Sequence, residues 1–165
     1  MIDDRTEHAL RPASERARYG ARPTHRILVV DDDPSTRQLN TVVLTHAGYA
    51  VDAAEDGVVA WEALNTDNYD LLITDHNMPK VTGVELVKKL RAVHMALPVI
   101  LATGTMPTEE LDRHPGLQIE ATLLKPFTIA RLLETVQEVL RVNRSNASPG
   151  ELPLTLADAS PVFAR

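Results

Sequence analysis

Between residues 25 and 142 the chain alternates short apolar runs with stretches whose apolar positions recur every three or four residues. Arg26 to Val30 reads RILVV, a β-branched run that predicts a buried strand. Asp33-Pro34 then opens a helix in which Leu39, Val42, Val43 and His46 recur at helical spacing, and Gly48 ends it. Tyr49 to Ala53 predicts a second strand of weaker signal. Gly57 to Leu64 predicts a helix with Ala60, Trp61 and Leu64 on one face. Leu71 to Thr74 predicts the third strand. Thr82-Gly83-Val84-Glu85 has capping-box spacing, and Leu86, Val87 and Leu90 form the apolar face behind it. Pro98 to Ala102 predicts the fourth strand. A short helix opens near Pro107, with Glu109 and Glu110 where the helix dipole favours acids, and Pro115-Gly116 stops it. Ala121 to Leu124 predicts the fifth strand. Ile129, Leu132, Leu133, Val136, Val139 and Leu140 define a last amphipathic helix.

Five strand–helix pairs in succession predict an α/β fold, a (βα)5 doubly wound sheet of five parallel strands with helices on both faces. Strands covered on both sides have no need to alternate, which explains RILVV and PVILA. Residues 1–24 are polar and Arg-rich, and are expected to be a disordered tail or a cloning remnant. Residues 143–165, rich in Ser, Pro, Gly and Ala, are expected to be a flexible tail. Its apolar patches, Leu152 to Leu156 and Val162-Phe163, are read as incidental.

Composition narrows the function classes. A net charge of −6 argues against a broad phosphate-backbone surface and hence against direct nucleic-acid binding. The absence of cysteine excludes disulfides and cysteine-based metal sites, and suits a cytoplasmic setting. No run approaches the roughly 18 apolar residues of a spanning helix, so no membrane role is expected.

In doubly wound folds ligands sit at the carboxyl ends of the strands. The first strand ends in Asp31-Asp32-Asp33, the third in Asp75, the fourth in Thr103-Gly104 and the fifth in Lys125-Pro126. Carboxylates, a hydroxyl and an ammonium are therefore expected on one edge. Clustered carboxylates repel unless a cation intervenes. Oxygen donors favour Mg2+ or Mn2+ over zinc, and Mg2+ so held also binds phosphate oxygens. An aspartate is a competent nucleophile for a phosphoryl group.

ILVVDDD (27–33), LLITDHNMP (71–79), ILATG (100–104) and LLKPF (123–127), in this order and spacing, resemble the CheY-like receiver domain of two-component response regulators. The resemblance covers about residues 25–142. It implies a flavodoxin-like fold with strand order 2-1-3-4-5. It implies Asp75 as phosphoacceptor, Asp32 as direct Mg2+ ligand with Asp31 acting directly or through water, and Asn77 supplying a backbone carbonyl to the metal. Thr103 becomes the switch hydroxyl and Lys125 the partner of the phosphoryl group, with a cis bond to Pro126. The implied donor is a histidine kinase or histidine phosphotransfer protein. The implied output is a downstream protein docking on the face of helix 4, strand 5 and helix 5. The chain then assists only its own phosphorylation and dephosphorylation and is not otherwise an enzyme. One place departs from the family pattern: Thr122 stands where an aromatic residue often couples to the threonine. Smaller changes in strand five and the last two helices would have to carry the signal.

Other residues have plainer readings. Asp33 is expected to cap the first helix, and His76 to face solvent from its loop. Trp61 is expected to pack, and Lys88-Lys89 to form a solvated helix face. With about 22 residues after Asn143, the chain is expected either to act alone by docking or to be a fragment of a hybrid kinase. Two rivals share the fold class. A haloacid-dehalogenase-type phosphatase would use the Asp-x-Asp of 31–33 but needs a second acidic pair and a cap. A flavodoxin would need a Ser/Thr-rich phosphate loop where the acidic triplet stands.

Overall fold

The computed structural model describes residues 25–146, with side chains to Asn143. The expected tail over 1–24 and the patches beyond 146 lie outside these residues. Five parallel strands, β1 (Arg26–Val30), β2 (Ala50–Ala54), β3 (Leu71–Asp75), β4 (Val99–Thr103) and β5 (Ala121–Leu124), make one sheet in the order β2-β1-β3-β4-β5. The helices are α1 (Pro34–His46), α2 (Gly57–Thr66), α3 (Gly83–Ala92), α4 (Thr108–Arg113) and α5 (Ile129–Asn146). The expected architecture and strand order are both observed.

Strand alternation splits the core into two layers. Ile27, Val29, Leu71, Ile73, Ile100 and Leu123 face Leu44 of α1 and Leu132, Val136 and Leu140 of α5. Leu28, Val30, Leu72 and Val99 face Ala60 and Leu64 of α2 and Leu86, Val87 and Leu90 of α3. Both faces are dry, so β1, β3 and β4 are held rigidly and their carboxyl ends are fixed in space.

The caps follow the sequence closely. Asp33 Oδ1 accepts the Thr36 amide at 2.7 Å, as expected. Asp56 caps α2 by accepting the Val58 and Val59 amides, both at 2.9 Å. Thr82 and Glu85 form the expected capping box on α3. Gly48 closes α1 at φ +96°, a left-handed conformation that disfavours any side chain.

Several local expectations shift. The β2 and β4 segments each start and end one residue later than expected, and β3 extends to Asp75. Pro98 has no amide to enter the ladder, whereas the pairings Asp75–Ala102 and Thr103–Leu124 lengthen the other ends. In α1 the residues at helical spacing divide, with Val43 packed against the core. Leu39 and Val42 are 54% and 45% exposed, and Asn40 and Leu44 are buried instead. Ile129, expected on the apolar face of α5, is likewise exposed. Helix α5 continues to Asn146, so the tail boundary expected at 143 falls inside it. No breaker intervenes before Pro149, and Asn143 Nδ2 donates to the Val139 carbonyl at 2.8 Å.

Candidate functional site

The carboxyl edge of the sheet brings Asp31, Asp32, Asp75, Thr103 and Lys125 together, each because its strand ends there. Asp31 and Asp75 are 2% and 7% exposed, whereas Asp32 is open to solvent. One carboxylate oxygen from each of the three acids lies within 4.8 Å of the others. Lys125 Nζ donates to Asp31 Oδ2 at 2.7 Å and lies 3.5 Å from Asp75 Oδ1. The ammonium thus bridges the two buried acids. Asp31 Oδ1 is taken by the Asp33 amide at 3.0 Å. The Lys125–Pro126 bond is cis, as the resemblance implies.

Three carboxylates face one ammonium, and every other donor in the cluster is oxygen. This is the donor set of a hard divalent cation, and the cluster is able to hold one. The electrostatics agree. Burial, chiefly, holds the Asp75 carboxyl above the ordinary carboxylate range; Lys125 opposes this and the charge of Asp31 adds to it. Burial also depresses the Lys125 ammonium, but Asp31 and Asp75 together raise it above its usual value.

A pH dependence follows from the raised Asp75. The folded state holds the Asp75 proton more tightly than the unfolded chain does. Its contribution to stability is therefore full below the unfolded value of about 4 and is lost as pH rises through the folded value. At neutral pH the buried, metal-free Asp75 carboxyl therefore contributes a net cost to the fold. Asp75→Asn is expected to raise the urea-unfolding free energy of the metal-free protein at pH 7 by about 1 kcal/mol. The gain should shrink as pH falls to about 4. A variant less stable than wild type at pH 7 would mean that the lost attraction to Lys125 outweighs desolvation.

The other expected site residues are placed less uniformly. Asn77 is exposed in the β3–α3 loop, where its carbonyl can serve a ligand at the edge. Thr103 is fully buried, and its hydroxyl is committed elsewhere: it donates to the Thr105 carbonyl at 2.8 Å and accepts the Thr105 amide at 3.3 Å. Gly104 is exposed with open space beside it. Thr122 pairs with Leu101 in the ladder, half-buried, so no aromatic ring stands beside Thr103 from that place.

His76 does not face solvent as expected. Its side chain is 13% exposed, with Nε2 3.7 Å from Glu110 Oε2. The loop after β3 turns tightly on the His76 carbonyl, which accepts from the Met78 and Gly83 amides. Lys88 is not simply a solvated face either: it pairs with Glu110 Oε1 at 3.0 Å. Trp61 packs half-buried on α2 as expected, with Lys89 Nζ 6.0 Å from its ring centre.

Two supports escaped sequence reasoning. Arg37 Nη1 donates to the Asp31 carbonyl at 2.6 Å and holds the acidic turn in place. The signal was an arginine six residues after an acid, one turn into the helix. Asp56 is buried at 4% and pairs with Lys80, tying the β2–α2 turn to the loop after β3. Lys80 sits at φ 68°, a conformation rare for a residue with a side chain, and sequence pattern alone does not announce it.

Comparison with known proteins gives the same picture. A family model described as the response regulator receiver domain matches residues 27–137. SilR of Salmonella typhimurium, a probable transcriptional regulatory protein, is 37% identical over 137 residues, covering 82% of this chain and 58% of SilR. The sensor protein EvgS of Escherichia coli O157:H7 is 41% identical over 103 residues, 62% of this chain but 9% of EvgS. The chain thus spans little more than half of the first relative and a small part of the second. Among solved structures, the chemotaxis response regulator CheY4 of Vibrio cholerae aligns with a TM-score of 0.63 at 34% identity, covering 70% of this chain and 98% of that one. With the ordered motifs, the strand order and the acidic edge already in place, these matches put the chain in the response regulator receiver domain family of two-component systems.

Proposed function

We propose that this chain is the phosphoacceptor of a two-component phosphorelay and that Asp75 carries the phosphoryl group. The observation that supports this is the convergence of Asp31, Asp32 and Lys125 on a buried Asp75 at the end of β3. In the proposed transfer, an Asp75 oxygen forms a bond to phosphorus as the P–N bond of a donor phosphohistidine breaks. The electron pair goes to the imidazole nitrogen, which takes a proton from water. Mg2+, or Mn2+, would be held by Asp31, Asp32, Asp75 and the Asn77 carbonyl, and when bound it offsets the charge of the acids and of the phosphoryl oxygens. Lys125 already sits between Asp31 and Asp75, so a short movement brings it onto a phosphoryl oxygen. Thr103 must leave Thr105 to reach the same group. The added charge is about −1.5 to −2.

A histidine kinase or phosphotransfer protein is the proposed donor. The proposed readout is protein docking on the face of α4, β5 and α5, where Leu124 of β5 is 56% exposed. With a net charge of −6 over the whole chain, protein rather than nucleic acid is the proposed target. The direct test is to label the chain with acetyl phosphate and Mg2+ and map the adduct. A stable adduct on Asp75 is expected. An adduct on Asp31 with rapid turnover of phosphate esters would overturn this reading in favour of a haloacid-dehalogenase-type phosphatase.

A further inference from the structure

The shortest helix is the least anchored. None of the six residues of α4 is buried, and its first turn has no side-chain cap. A helix of this length has little stability of its own. Its Glu109–Arg113 pair lies within the helix and ties it to nothing else. Glu110 is different. Its two carboxylate oxygens reach two other elements: Oε1 accepts from Lys88 Nζ of α3 at 3.0 Å, and Oε2 lies 3.7 Å from Nε2 of His76. These contacts are partly shielded, with side-chain exposures of 28% for Glu110, 34% for Lys88 and 13% for His76. His76 directly follows Asp75, the last residue of β3, so a movement of one is passed to the other along the chain. The other His76 ring nitrogen, Nδ1, is buried without a hydrogen-bond partner, and among the described residues the Glu110 carboxylate is the acid set against the ring.

We propose that Glu110 is a latch that couples the Asp75 loop to α4, holding the helix down in the resting state and releasing it on phosphorylation. The inference rests on the receiver reading and names its regulatory part. Two connections fix the β4–α4 segment. The Thr103 hydroxyl on the Thr105 carbonyl holds its start, and Glu110 between Lys88 and His76 holds its end. A phosphoryl group on Asp75 draws Thr103 away from Thr105 and displaces His76, the next residue in the chain. Both connections then loosen together. This route needs no ring at residue 122. Glu110 is therefore a positioning residue: it touches neither the reacting carboxylate nor the donor.

The test follows amide hydrogen exchange over α2, α4 and α5 in the full chain, with and without Mg2+ and beryllium fluoride as phosphoryl mimic. In wild type the mimic is expected to speed exchange across Thr108–Arg113 by about tenfold. Glu110→Gln, which keeps size but not charge, is expected to show that faster exchange already at rest, with α2 and α5 unchanged. Adding the mimic to Glu110→Gln should then change α4 by less than about twofold. Resting α4 exchange equal to wild type in Glu110→Gln would overturn the latch. So would a full response to the mimic in that variant, since α4 would then be driven by another route. Failure of the receiver reading is separate, because it would leave wild-type Asp75 unlabelled by acetyl phosphate.

Discussion

Acetyl phosphate with Mg2+ is expected to label wild type on Asp75 and to leave Asp75→Asn with at least about a hundredfold less covalent phosphate. The amide keeps the shape of the carboxylate but loses its charge and nucleophilic oxygen. The neighbouring acids are poor substitutes. Asp31 is held by Lys125 at 2.7 Å and by the Asp33 amide at 3.0 Å, so both of its oxygens are engaged. Asp32 is exposed and placed to serve a metal rather than to attack. The variant also separates chemistry from folding. Burial is the main influence raising the Asp75 carboxyl, so neutralising it should leave the fold at least as stable. Loss of label in a protein that unfolds at the same or higher urea concentration is therefore loss of the acceptor. Phosphotransfer from a cognate kinase supplies the second readout, measured as radiolabel retained after gel separation. Persistent labelling of Asp75→Asn at the wild-type level would sink the assignment of Asp75.

The fold was legible because its strands are short, apolar and punctuated. RILVV, LLIT and PVIL carry no helical period, and each is followed within a few residues by a turn and a helix start. The site was legible for the same reason: once the strands are parallel, their ends share an edge. What was not legible depended on rotation and reach. In α1 Leu39, Val42, Val43 and His46 fall at helical spacing, yet of these Val43 packs on the core while Leu39 and Val42 are exposed, and Asn40 and Leu44 are the buried residues. His76 looked like a loop residue because loop positions carry no period. Only the tight turn of the β3–α3 loop brings it against Glu110, thirty-four residues away in the chain. Lys80 acts through one bond to Asp56, twenty-four residues away, and Arg37 through bonds to the Asp31 and Asp32 carbonyls, none of which leaves an apolar period. The resting engagement of Thr103 with Thr105 is likewise a matter of rotamer, not of sequence.

The expectation with the largest effect on stability concerns Gly83, the first residue of α3. A Cβ there would stand 2.2 Å from the Asp75 carbonyl oxygen, 3.0 Å from its carbon and 3.1 Å from the His76 Cα. All three atoms are backbone, so no side-chain rotation can relieve the overlap. Either the first turn of α3 lifts off the end of β3 or the end of β3 moves. The first breaks the bond from the Gly83 amide to the His76 carbonyl, at 3.1 Å, and disturbs the capping box of Thr82 and Glu85. The second moves Asp75 itself. Alanine would gain up to about 1 kcal/mol in helix propensity, but overpacking against fixed backbone outweighs that. Gly83→Ala is expected to lose about 3 kcal/mol in urea unfolding. Gly104→Ala supplies the contrast: nothing lies within 4 Å of its would-be Cβ, so its stability should stay within about 0.5 kcal/mol of wild type. If the two variants unfold at the same urea concentration, the close approach of α3 to the Asp75 carbonyl does not constrain the site. If Gly83→Ala alone is destabilised, the acceptor's position is fixed from behind by a glycine, and its remaining folded fraction should also label more slowly than wild type.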